Sequence, residues 1–167
     1  MSNRRRVSFH ISPLGLTMTL DYHHILAAID FSPVSRDVVR KADKLCRIDN
    51  AHLTVVSVVD EVPVYSEPFG EFAAPSIDAQ YWRDLQAMTR KRLETFVAEL
   101  LGNDQRTLEV LTGAPKTEIP RYASENDIEL IVMGSHGHRG VFAMLGSTTD
   151  GVIHRAACDV LTVRSSS

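Results

Sequence analysis

LIVMGSHGHRGVFAMLGSTTDGV, running from Leu130 to Val152, is the stretch whose reading decides the fold. It begins with the apolar run Leu130 to Met133, which suits a parallel strand buried on both faces better than a half-wet one. Gly134, Gly137, Gly140 and Gly146 then fall within thirteen residues. The run closes on Ser147-Thr148-Thr149-Asp150, a helix start of the capping-box kind with Asp where Glu is more usual. Strand, glycine-rich loop and helix N-terminus in that order can cradle a phosphate. Glycine lets backbone N–H groups approach an anion, and the helix end adds unpaired donors and a positive dipole. The competing reading is a crossover loop whose glycines serve turns, and the glycine pattern alone favours it.

Upstream of this stretch the chain alternates strands and helices. His23 to Asp30 is a short apolar run ending in a polar turn, a first buried strand. Ser32 then reads as an N-cap with Pro33 at the first helical position, where a missing N–H costs nothing. Val34, Val38, Val39, Ala42, Leu45 and Cys46 follow at helical spacing, opposite Arg36, Arg40, Lys41 and Lys44. Leu53 to Val59 is a β-branched second strand, so strand, helix and strand imply a right-handed βαβ unit. Glu61 to Asp78, with Pro63, Pro68, Gly70 and Pro75, is an irregular excursion. Trp82, Leu85, Met88, Leu93, Phe96, Val97 and Leu100 trace a long amphipathic helix, with Gly102 as its C-cap.

Thr107 to Thr112 is a third strand, and Pro115 opens a third helix through about Glu125. Pro120 inside that helix predicts a kink or a delayed start. Glu129 to Met133 is the fourth strand, Ser147 to about Arg155 the fourth helix, and Val160 to Val163 the fifth strand. Five strands alternating with four helices predict an α/β fold, a three-layer α/β/α sandwich on a parallel sheet.

The glycine run resembles the signature of the universal stress protein family, G-x2-G-x9-G-[ST]. Gly134, Gly137, Gly146 and Ser147 match it, although the spacer His138 to Leu145 has eight residues rather than nine. The shorter spacer is similar to that of the A-type branch, some of whose members do not bind ATP. The resemblance covers about Tyr22 to Arg164 and is also specific at AIDFSP, Ala28 to Pro33. It implies a Rossmann-like, adenine nucleotide alpha hydrolase-like fold with strand order 3-2-1-4-5. Ligands of such sheets bind at the carboxyl ends of the strands, beside the switch point between strands one and four.

In nucleotide-binding members of that family the matching residues wrap ATP, with magnesium. The implied contacts here are Ala28, Asp30, Val58, Met133, Gly134, Gly137, Gly146, Ser147 and Thr148. Asp30 would lie near the adenosine, and the backbone of Val58 would recognise adenine. By its own chemistry Asp30 serves equally well as a turn or cap residue ahead of Ser32, and Val58 reads as plain core. The resemblance also implies a cytoplasmic stress-response module that forms a homodimer through the C-terminal edge strand, Asp159 to Arg164. An apolar edge there is expected to be covered.

Composition agrees with one domain of ordinary globular character. The chain has 167 residues, 44% hydrophobic and 23% charged, long enough to bury about two-thirds of its unfolded surface. A net charge of −3 and a pI near 6.1 give no electrostatic footprint for nucleic acid or an anionic membrane. No stretch approaches the roughly 20 apolar residues of a membrane span. Cys46 and Cys158 have neither CxxC nor zinc spacing, and Cys46 falls on an apolar helix face as a buried free thiol.

Residues 1–20 are expected to be a disordered extension ahead of a single domain at 21–165, with Met18 as an alternative start. Arg4-Arg5-Arg6 faintly matches a signal peptide, but Ser8, His10, Ser12, Pro13 and Gly15 interrupt the following stretch. His136 and His138 lack a third ligand for a metal and read, with Arg139, as solvated loop residues. His154 suits the last turn of its helix. No Walker lysine, G-x-S-x-G elbow or HExxH is present. Three functions compete: an ATP-binding switch, a non-nucleotide dimer acting by protein contacts, and a slow ATP hydrolase, the least supported.

Overall fold

The computed structural model describes residues 8–12, 15–19, 21–60, 79–102, 106–135 and 145–164. The first of these form a hairpin of β1 (Ser8–Ser12) and β2 (Gly15–Thr19), paired antiparallel from Ser8↔Thr19 to Ser12↔Gly15. This ribbon is a two-stranded sheet separate from the main one.

The main sheet holds β3 (His24–Ile29), β4 (His52–Val59), β5 (Thr107–Thr112), β6 (Leu130–Gly134) and β7 (Asp159–Val163). They lie in the order β5-β4-β3-β6-β7, and every pairing is parallel. Counting only these strands, this is the expected 3-2-1-4-5. Between them run α1 (Ser35–Asp49), α2 (Ala79–Leu101), α3 (Pro115–Glu125) and α4 (Ser147–Arg155).

Alternation along the buried strands sends successive residues to opposite faces, and each face meets its own pair of helices. Ile25, Ala27, Ile29, Leu53, Val55 and Val132 pack with Val38, Val39 and Ala42 of α1 and Leu93 and Val97 of α2. Leu26, Ala28, Val56, Ile131 and Met133 pack with Ile119 and Ala123 of α3 and Val152 of α4. Fully buried residues such as Leu26 and Leu93 each contribute about 1.5–3 kcal/mol by leaving water. The central strand β3 is buried along Ile25–Ile29, as its near-continuous apolar sequence requires.

Three local expectations need correction. Ser32 is not the N-cap of α1: the helix starts at Ser35 after Val34, and a preceding turn is closed by the Ser35 N–H donating to the Ser32 carbonyl at 2.9 Å. Phe31, at φ +60°, makes a left-handed bend just ahead of this turn. In α2 only Leu93 and Val97 are buried, and Met88, expected on the apolar face, is 70% exposed. Finally, α3 starts at Pro115 without delay and keeps Pro120, buried, inside it. The proline has no N–H for the Lys116 carbonyl, and burial of its ring, with Ile119 and Ala123, offsets that loss. Gly102 does end α2 at φ +75°, its N–H donating to the Ala98 carbonyl, as a C-terminal glycine should.

Candidate functional site

The parallel register sets the floor of the site. Ala28 of β3 pairs with Met133 of β6 on one side and with Val56 of β4 on the other. Asp30 and Gly134 therefore leave neighbouring strands at one level, where the connections of β3 and β6 depart toward opposite faces. Crevices form at such points. Ala28, Met133 and Gly134 meet there, with Asp30 exposed at the rim. Val58 lies two residues beyond Val56 on the next strand and is half-buried against the α3 and α4 side.

Asp30 is engaged by its own chain. One carboxylate oxygen accepts the Ser32 N–H at 3.0 Å and the buried Ser35 hydroxyl at 3.2 Å. This is the turn role that its chemistry allowed. It holds the Phe31 bend and fixes where α1 begins. Phe31 turns away to stack edge-on with Phe96 of α2, ring centroids 5.7 Å apart, beneath the Arg92 guanidinium at 4.1 Å. No sequence pattern singled out Phe31 or Ser35.

The opposite wall is the start of α4. Gly146 is its N-cap with no side-chain capping bond, so Ser147 is the first helical residue rather than a capping-box serine. The first helical bond runs from the Asp150 N–H to the Gly146 carbonyl at 2.9 Å. That leaves the N–H groups of Ser147, Thr148 and Thr149 without helical acceptors. Thr149, read as a member of that box, instead donates its buried hydroxyl to the Gly134 carbonyl at 2.8 Å. Such a bond contributes about 0.5–1.5 kcal/mol and clamps the end of β6 to the helix. The Gly146 N–H donates to the Ser135 carbonyl at 3.0 Å, closing the glycine loop at its base. Gly137, His136, His138 and Arg139 lie outside the described residues.

Gly134 and Gly146 of the signature are not there for their backbone angles. Gly146 has φ −62° and ψ 148°, open to any residue. Gly134 is absent from the positive-φ positions, which among described glycines are Gly102 and Gly113. What glycine can supply at these two places is the lack of a Cβ.

Elsewhere, an open hollow of about 440 Å³ on α2 is lined by Met88, Lys91, Arg92, Thr95, Phe96 and Glu99, away from the crevice residues. Among the described residues no group of three His, Cys, Asp or Glu side chains could hold a metal ion. No helix among them is long and apolar enough to cross a membrane.

An open parallel sheet with helices on both faces and a glycine-lined crevice at its switch point defines the doubly wound α/β class. The model of the universal stress protein family matches residues 21–164, and the chain belongs to that family. Universal stress protein A homolog 1 of Coxiella burnetii is 37% identical over 144 residues, which cover 86% of this chain and 97% of that one. The solved universal stress protein UspA from Lactobacillus plantarum is 29% identical with a TM-score of 0.64, covering 86% of this chain and 98% of that one. A universal stress protein solved in complex with cAMP shares the fold at a TM-score of 0.61 and 20% identity, covering 87% and 99%.

Proposed function

We propose that this universal stress protein is a stress-response module that binds ATP in the crevice between β3 and β6. The carrying observation is the conformation of Gly146 and Gly134: neither needs glycine for its φ, and both border the open start of α4. A phosphate chain fits there because the N–H groups of Ser147 and Thr148 and the helix dipole face an anion without a side chain in the way. Ala28, Met133 and Gly134 would floor the site, with Gly137 completing the loop. Asp30 would border the adenosine and the Val58 backbone would meet the adenine. The relative of like fold solved with cAMP, an adenine nucleotide, supports the ligand class. The same reading has the chain act in the cytoplasm as a homodimer paired through Asp159 to Arg164.

A second reading, a dimer that works by protein contacts alone, is favoured by the carboxylate of Asp30, which is spent on Ser32 and Ser35. Isothermal titration with ATP and magnesium separates the two. Micromolar binding to the native chain, lost in Gly146→Val, is the expected result, because valine fits the φ of this position and fails only by filling the approach. No heat at millimolar ATP would leave the contact module standing.

A further inference from the structure

Helix α2 has a second patterned face besides the one it turns to the sheet. Tyr81, Leu85, Met88, Arg92, Thr95 and Glu99 follow one another at alternating spacings of four and three residues. That alternation draws one stripe along a helix and is the seam along which two helices pack. None of the six is buried: Tyr81 is 54% and Met88 70% exposed, and Leu85 is half-buried. The buried side chains of α2, Leu93 and Val97, lie off this stripe. The seam is thus left open among the described residues.

Its chemistry is apolar with a basic wall. The hollow of about 440 Å³ lies on this stripe, its surface mostly apolar, with half-buried Phe96 and exposed Lys91 in its lining. The Arg92 guanidinium sits 4.1 Å over the Phe31 ring. Among the described residues neither Arg92 nor Lys91 has an ion pair. A guanidinium seated on an aromatic ring keeps its N–H fork for a carboxylate. Glu99, the acid of the stripe, is taken by Arg36 of α1 at 3.6 Å, and Arg36 itself lies 5.5 Å from the Phe96 ring.

The wider charge distribution has the same sense. Together α1 and α2, which cover one side of the sheet, hold nine Lys and Arg against six Asp and Glu. The rest of the chain holds nine against fifteen. These two helices are the basic side of an acidic protein, and such a field steers acidic partners to them.

We propose that the α2 stripe docks an acidic amphipathic helix of a partner protein, its apolar side chains on Tyr81, Met88 and Phe96 and its carboxylates on Lys91 and Arg92. The four-three spacing admits the side chains of a second helix between its own. A strand finds no backbone to pair with, because the N–H and C=O groups inside α2 serve the helix. A small organic anion would stay largely in water, since the hollow is open. The same helix of a second copy is a poor occupant. Arg90, Lys91 and Arg92 stand at the middle of Ala79–Leu101, so a two-fold contact centred there would oppose like charges. The surface shares no residue with the crevice or with β7, and the proposal depends on neither.

Fluorescence anisotropy of the full chain tests it with a labelled peptide of leucine and glutamate, leucines at four-three spacing and as long as the stripe. Micromolar binding to the native chain is the expected result. Met88→Glu leaves the core untouched, and it should weaken binding by roughly tenfold or more by removing an apolar contact and adding repulsion. Arg92→Glu should weaken it comparably, and the melting temperature of Met88→Glu should stay at the native value. A peptide with lysine in place of glutamate that binds as well would mean an indiscriminate apolar patch. A peptide of glutamate alone that binds as well would mean counterion attraction only. Either result overturns the proposal, as does binding within twofold of native in both variants, or no binding at millimolar peptide. If sedimentation shows an assembly of the native chain that Met88→Glu takes apart, the occupant is a second copy, which overturns it too.

Discussion

At the scale of single residues, one side chain at the amino end of the sheet carries a readable pH response. His24 begins β3, half-buried, with its Nε2 2.8 Å from the Thr54 hydroxyl and its ring 4.9 Å from that of His52. Burial foremost, then His52, holds its pKa below 6.5, while the Asn126 backbone, Glu129 and Asp127 pull the other way. The folded chain thus binds this proton less readily than the unfolded chain. The stability it contributes is complete above pH 6.5 and is lost as pH falls through the lower, folded value. Urea unfolding followed from pH 7.5 down to 5 should show falling stability, and His24→Gln should flatten that slope. An unchanged slope would assign the response to other groups. Cys46 is a contrasting case: burial, then Asp43, pushes its thiol up to about 12, leaving it a buried free thiol and a poor nucleophile.

At the scale of elements, the contact between α3 and α4 depends on one missing side chain. A Cβ on Gly151 would stand 2.7 Å from the Lys116 Cβ and 3.2 Å from an Arg155 guanidinium nitrogen. Gly151→Ala should therefore destabilise the fold by about 1–3 kcal/mol through overpacking, although alanine is the better helix former. A melting temperature unchanged or raised would mean that the helices separate freely. Gly151 shows what the sequence conceals. It is the one glycine of α4 and drew no reading from the sequence, because its reason lies on another helix. The strands were legible because burial on both faces writes itself as β-branched runs such as Leu53 to Val59; their order was implied by the family resemblance. Boundaries were legible where a terminator has its own chemistry, as at Gly102. They were missed at the start of α1, which falls past Ser32, after the Phe31 bend. In the site, the convergence of Asp30 with Gly134 followed from strand order alone. The engagement of Thr149 with the Gly134 carbonyl could not, since a hydroxyl after a glycine serves a cap equally well.

At the scale of the whole molecule, ligand and fold are linked by mass action. A ligand that binds only the folded chain adds about 2.7 kcal/mol at a hundredfold excess over its dissociation constant. ATP at that excess should raise the melting temperature of the native chain and leave that of Gly146→Val unmoved; equal shifts in both would place the nucleotide elsewhere. The crevice and the outer edge are not independent regions of this sheet. Ser135 stands just past β6, its N–H held by the Val163 carbonyl of the last strand and its own carbonyl holding the Gly146 N–H at the head of α4. A single residue is thus tied both to the loop that would close on a phosphate and to the strand that would meet a neighbour. If nucleotide and partner bind as proposed, tightening one end would pull on the other, and occupancy and assembly would turn on a common mechanical fulcrum.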